Sequence, residues 1–128
     1  MAKDLGNYAE LRFTLAAFEK GFSILRPFSD SRPYDFVLEK QGRFIRVQVK
    51  SCNAPLGEKG HFPANVSRGS GGSKTKYTPE DCEVIAVYLR SLDIFYLIPI
   101  QFIQVVKVNL YPLRETSKFI EFKSNWNI

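Results

Sequence analysis

A chain of 128 residues that is 45% hydrophobic holds one domain's worth of core and is too apolar to be disordered. Its 18 Lys and Arg against 13 Asp and Glu leave a formal charge of +5, which favours a polyanionic partner such as nucleic acid over a small acidic ligand. No apolar run approaches the length of a membrane span, and the start, Met1 to Gly6, lacks the apolar stretch of a signal peptide, so the expected setting is the cytosol or an equivalent compartment. Cys52 and Cys82 stand apart, with neither a Cys-x-x-Cys spacing nor flanking histidines, which argues against a zinc module or a disulfide framework and for two reduced packing residues.

From Asn7 to Lys20 the apolar residues Tyr8, Leu11, Leu15 and Phe18 make one stripe of an amphipathic helix, ended by Gly21. Phe22 to Leu25 predicts a short strand, and Arg26 to Pro33, with two prolines and Ser-Asp-Ser, a loop. Tyr34 to Lys40 and Arg43 to Lys50 alternate around Gln41-Gly42 and predict a hairpin with a two-residue turn. If Lys40 pairs with Arg43, Asp35 falls opposite Gln48, with Lys50 on the diagonal at roughly 7–8 Å. Phe36, Leu38, Ile45, Val47 and Val49 then face a core, while Asp35, Arg46, Gln48 and Lys50 occupy an open face. Any half-exposed strand shows polar residues to water, so the cluster alone does not establish chemistry.

Ser51 to Lys76 is dominated by Gly, Ser, Lys and Asn, and reads as a mobile basic loop over about residues 51–77 within a single 1–128 domain. Its Lys59, Arg68, Lys74 and Lys76 either fold onto phosphates or merely solvate a connector. Thr78-Pro79-Glu80-Asp81 carries a cap, an early proline and acids, the pattern of a short helical turn. Val84 to Leu89 and Ile94 to Ile98 predict two more strands, Ile100 to Leu110 is ambiguous, and Phe119 to Lys123 alternates like an edge strand. Trp126 is expected to cap the core or an interface, and no internal repeat is present.

Asp35, Gln48 and Lys50 supply a carboxylate, a neutral oxygen and an ammonium. A hard divalent ion needs oxygen ligands and keeps waters of its own, so one or two carboxylates and a carbonyl suffice. Glu10, at the edge of the helix stripe, can add a second carboxylate. Asn7-x-x-Glu10 also matches a capping box, in which the glutamate only satisfies a backbone amide. His61 is the one histidine, which excludes chemistries built on paired histidines; it reads as a solvated loop residue or a nucleic-acid contact. Neither a Gly-rich phosphate loop nor a Ser-His-Asp set can be assembled, which leaves hydrolysis through a metal.

Ala9-Glu10-Leu11-Arg12-Phe13, Pro33-Tyr34-Asp35 and Val47-Gln48-Val49-Lys50 together resemble the helix acid and two strand motifs of PD-(D/E)XK nucleases, in that family's αβββ order. Tyr77 to Asp81, Ala86-Val87-Tyr88 and Tyr96 to Pro99 are similar to the branch containing group I intron homing endonucleases, which extends the likeness to about three-quarters of the chain. One position departs: the usual acid of the third motif is Gln48, as in that branch. The resemblance implies a restriction-endonuclease-like α/β fold, a central mixed β-sheet with an αβββ start flanked by helices. It implies that Glu10, Asp35 and the Gln48 oxygen hold Mg2+, with Mn2+ as a substitute, and that Lys50 orients the attacking water or offsets developing charge. Arg46, Lys59, His61, Arg68, Lys74 and Lys76 are the candidate DNA contacts. The expected activity is site-specific cleavage of double-stranded DNA by a homodimer or tetramer. A Holliday-junction resolvase and a non-catalytic DNA-binding module are the alternatives.

Overall fold

The computed structural model describes residues 2–69, 72 and 74–128. Helix α1 runs from Ala2 to Glu19. It starts well before Asn7, which is therefore interior and caps nothing, so the capping-box role for Glu10 is removed. Gly21 ends the helix as expected: at φ 88° it adopts the left-handed conformation. Its N–H bonds the Phe18 carbonyl and the N–H of Phe22 bonds that of Ala17, the paired bonds of a Schellman motif.

The buried stripe of α1 differs from the expected one. Ala9, Phe13 and Ala17 are at most 1% exposed, whereas Tyr8, Leu11, Leu15 and Phe18 are 41, 70, 48 and 70% exposed. Both stripes have helical spacing, so periodicity alone could not rank them. The small alanines let the helix approach a surface already filled by large rings. Between them Phe13 stacks on Phe36 at 5.5 Å and meets Phe95 edge-on at 5.6 Å.

Strands β1 (Ser23–Leu25), β2 (Phe36–Lys40) and β3 (Arg43–Cys52) form the antiparallel start of a sheet completed by β7 (Val84–Leu89) and β8 (Ile94–Pro99), in the order β1-β2-β3-β7-β8. The β3–β7 pair is parallel, which makes the sheet mixed. The hairpin register is the expected one, with Lys40 opposite Arg43 and Phe36 opposite Val47. Gln41 at φ 55° and Gly42 at φ 79° make the turn whose twist matches the strands. The N–H of Asp35 bonds the Val47 carbonyl at 2.9 Å, carrying the pairing one residue past β2.

Two apolar layers enclose this sheet. On one face α1 packs with Phe22, Phe36, Val47, Ala86 and Leu97. Trp126 closes that layer as expected, 5.5 Å from Phe13. The other face is covered by a ribbon of β4 (Phe62–Asn65) and β9 (Lys107–Leu110), whose Phe62, Ala64 and Leu110 pack on Ile85, Val87 and Ile98. The mixed sheet with its αβββ start is as expected, but the flanking helices reduce to one: among the described residues α1 is the one α-helix.

The segment read as a loop is also corrected in part. β3 continues through Cys52, β4 is buried at Phe62 and Ala64, and β5 (Ser67–Arg68) pairs with β6 (Thr75–Lys76). The alternation Phe62, Ala64, Val66 was masked by Pro63 and Asn65 between its members and by the glycine-rich stretch that follows. Residues 70, 71 and 73 of that stretch lie outside the described residues. Thr78 to Asp81 is a turn, not a helix, closed by the N–H of Asp81 on the Thr78 carbonyl. Ile100–Phe102 is a single 3-10 turn. Phe119 to Lys123 is not an edge strand: Phe119 takes φ 71° and Ile120–Phe122 is another 3-10 turn, with one bridge from Lys123 to Tyr96.

Candidate active site

The β2–β3 register brings Asp35, Gln48 and Lys50 together on one face, beside β7. That face is half-buried and not open as expected, because the segment from Asn65 to Arg68 and Tyr77 folds over it. The Val49 N–H donates to Asp35 Oδ2 at 2.8 Å, while Oδ1 takes no donor among the described residues. Burial pushes the Asp35 carboxyl up to about 6. The Val49 bond opposes that rise; the nearby negative charge of Glu10 adds to it, and Lys50 and Arg26 pull it down.

Lys50 is tethered from the opposite side. Its Nζ donates to the Ser67 carbonyl at 2.8 Å and lies 5.2 Å from the centre of the Tyr77 ring. Ser67 is fully buried, and its N–H and hydroxyl both donate to Asn65 Oδ1, at 2.9 and 2.6 Å. Burial lowers the Lys50 pKa, opposed by the Asp35 charge. Gln48 Nε2 donates to the Val49 carbonyl at 3.3 Å, which leaves the amide oxygen without a donor among the described residues. Glu10, on α1, forms an ion pair with Arg26, and its charge is near enough to bear on Asp35. Free oxygens on Asp35 and Gln48, with Glu10 in reserve behind Arg26, form a hard-oxygen donor set. It fits a divalent ion that keeps several waters. No cluster of three His, Cys, Asp or Glu side chains able to hold a metal occurs among the described residues.

The candidate DNA contacts divide into two groups. Arg46 is engaged internally: Nε donates to Glu83 at 2.8 Å and the terminal nitrogens to the Glu80 and Pro79 carbonyls at 2.7 and 2.9 Å. Arg68 pairs with Asp81 at 2.9 Å and lies over Tyr77. His61 sits 5.8 Å from the Tyr111 ring, so tightly against Gly57 that a Cβ there would come within 2.7 Å of it. These three side chains have partners within the fold. Lys59, Lys74 and Lys76 are exposed and form no ion pair among the described residues.

Sequence reasoning missed Arg26 and the Asn65–Ser67 pair, and gave Tyr77, though part of the Tyr77 to Asp81 likeness, no place over the site. These positions arise from chain segments meeting over the sheet. The helix acid, the hairpin acid and the lysine two residues beyond Gln48 stand in the order and register of one nuclease class. The family model described as PD-(D/E)XK endonuclease matches residues 1–128, and the chain belongs to that family. Its fold is similar to that in "The structure of a bacterial homing endonuclease: I-Ssp6803I", with a TM-score of 0.82 and 21% sequence identity over 98% of this chain and 90% of that one. No curated protein matches the sequence.

Proposed function

We propose that this chain is a metal-dependent DNA endonuclease of the homing type, cutting double-stranded DNA at a specific site. The observation that carries the reading is that the hairpin register sets Asp35, Gln48 and Lys50 on one half-buried face of the sheet, with Asp35 Oδ1 and the Gln48 amide oxygen without donors among the described residues. The homing endonuclease of similar fold supports the narrower part of it.

Asp35, Gln48 and Glu10 would hold Mg2+, or Mn2+ in its place. Such an ion, when bound, polarises the scissile phosphate and acidifies water. The rest of the work falls to side chains. The Val49 N–H holds Asp35 so that its second oxygen points free. Arg26, paired with Glu10, would have to release it for that carboxylate to hold the ion, and would then be free to pair with a phosphate. Lys50, aimed by the Ser67 carbonyl and the Tyr77 ring, places a positive charge where negative charge grows as the phosphodiester is attacked.

One chain has one such site and a duplex has two strands, so double-strand cutting calls for at least a dimer. The setting would be any DNA-containing compartment, cytoplasm or organelle. No helix among the described residues is long and apolar enough to cross a membrane.

Plasmid cleavage in magnesium tests the proposal. The wild type should cut. Asp35→Ala and Lys50→Ala should abolish cutting with the fold intact, since neither side chain belongs to an apolar layer. Near wild-type activity in either variant would sink the assignment. A preference for four-way junctions over linear duplex would turn the reading to a resolvase, and an inert wild type that still binds would make it a binding module.

A further inference from the structure

We infer that the loop from Arg26 to Tyr34 reads DNA beside the cleavage site, with Phe28 as an aromatic wedge that stacks on or between bases. This rests on the nuclease reading above and specifies where the duplex is gripped.

The loop joins β1 to β2, and both of its ends are fixed at the candidate site. Arg26 holds Glu10 and lies 4.9 Å from the centre of the Phe36 ring. At the other end Tyr34 leads directly into Asp35. Pro27 and Pro33 each lock one backbone angle, and a 2.7 Å bond between the Ser29 and Ser31 hydroxyls draws the tip together. Within this braced loop Phe28 makes no use of the fold: its relative exposure is 109%. A hollow of about 260 Å3, lined by Arg26, Phe28, Arg32, Tyr34 and Asp35 among others, runs from the loop to the catalytic carboxylate.

An aromatic ring in water contributes nothing to folding, and on a braced loop beside the candidate site it is placed to meet what binds there. Charge selects the partner. Arg26 and Arg32 outnumber Asp30, the loop's one acid, and Arg32 has no ion pair among the described residues. The unpaired Arg32 guanidinium beside a bare ring matches a phosphate next to a base, and apolar wedges of this kind unstack base steps from the minor groove. The hollow's continuity with Asp35 puts the wedge within reach of the bases next to the scissile bond.

Because the ring touches nothing, Phe28→Ala should fold as the wild type does, and an unchanged melting temperature checks this. Supercoiled plasmid is the probe, in chelator so that no cutting occurs, with a metal-independent topoisomerase reporting unwinding. The wild type should bind the plasmid and shift its topoisomers. Phe28→Ala should bind about ten-fold more weakly or worse and lose the shift, as expected for a lost stacking contact, while Phe28→Trp keeps both. Equal binding and unwinding by Phe28→Ala overturns the inference. So does a fall in its sedimenting mass, which would assign the ring to a protein contact. Cleavage in magnesium is scored separately: a wild type that cuts with no role for Phe28 leaves the nuclease reading standing alone, and one that unwinds through Phe28 without cutting does the reverse. A wild type that neither binds nor cuts removes both.

Discussion

Asp35 is held between opposing influences, and its titration is measurable. Its pKa rises from 3.8 to about 6, so the folded state prefers the neutral acid. The resulting stabilisation is fully present below the unfolded value and is lost as pH rises through about 6. In metal-free protein at pH 8 the buried carboxylate should therefore cost on the order of 2–3 kcal/mol. Asp35→Asn should melt higher than wild type at pH 8 in chelator, and the gap should close toward pH 4; equal melting temperatures at pH 8 would refute the burial argument. Cleavage should fall below about pH 6 as the ligand protonates. Gln48 makes a second prediction at this scale. Gln48→Glu adds charge beside Asp35 and should stay active at lower magnesium, while Gln48→Leu removes the free oxygen and should lose cutting but keep DNA binding. A fully active Gln48→Leu enzyme would show that the amide only fills the strand's polar face.

At the scale of elements, the cations of β3 and of the stretch after it stand in two different settings. Arg46 ties the turn at Thr78–Asp81 to the sheet and Arg68 pairs with Asp81, while Lys59, Lys74 and Lys76 are exposed and form no ion pair among the described residues. Replacing those three lysines with alanine should weaken DNA binding across sequences and flatten its salt dependence by about one unit per lost phosphate contact, with the melting temperature unchanged. Arg46→Ala should instead lower the melting temperature, because it leaves the Pro79 and Glu80 carbonyls without their donors. A salt slope untouched by the triple change would assign this stretch to connection alone.

For the molecule as a whole, the uncovered face of α1 is the conspicuous feature. Leu11, Leu15 and Phe18 are exposed at the spacings a helix–helix seam uses, and Tyr8 continues the stripe with its ring under Arg90. If a second copy covers them, the wild type should sediment as a dimer or larger, and Leu11→Glu with Phe18→Glu should yield a folded monomer that nicks plasmid without linearising it. A monomeric wild type at high concentration would leave the seam unexplained by self-association.

Local pattern determined a good deal of this protein. Period-two alternation and the Gln41-Gly42 turn specify the hairpin register, because slipping it by one residue would turn five apolar side chains to the polar face. That register alone places Asp35 across from Gln48. Gly21 marks the end of α1, and the β-branched runs mark β7 and β8. Tertiary structure decided what pattern leaves degenerate. Two stripes on α1 share one period, and only the bulk of Phe36 and Phe95 beneath it selected the alanine side. The ribbon of β4 and β9 joins segments far apart in the chain, so no local signal announces it. With that ribbon comes the folding of Asn65–Ser67 and Tyr77 over the sheet, which takes Asp35 and Lys50 out of water and gives them the shifted acidities on which the proposed chemistry depends.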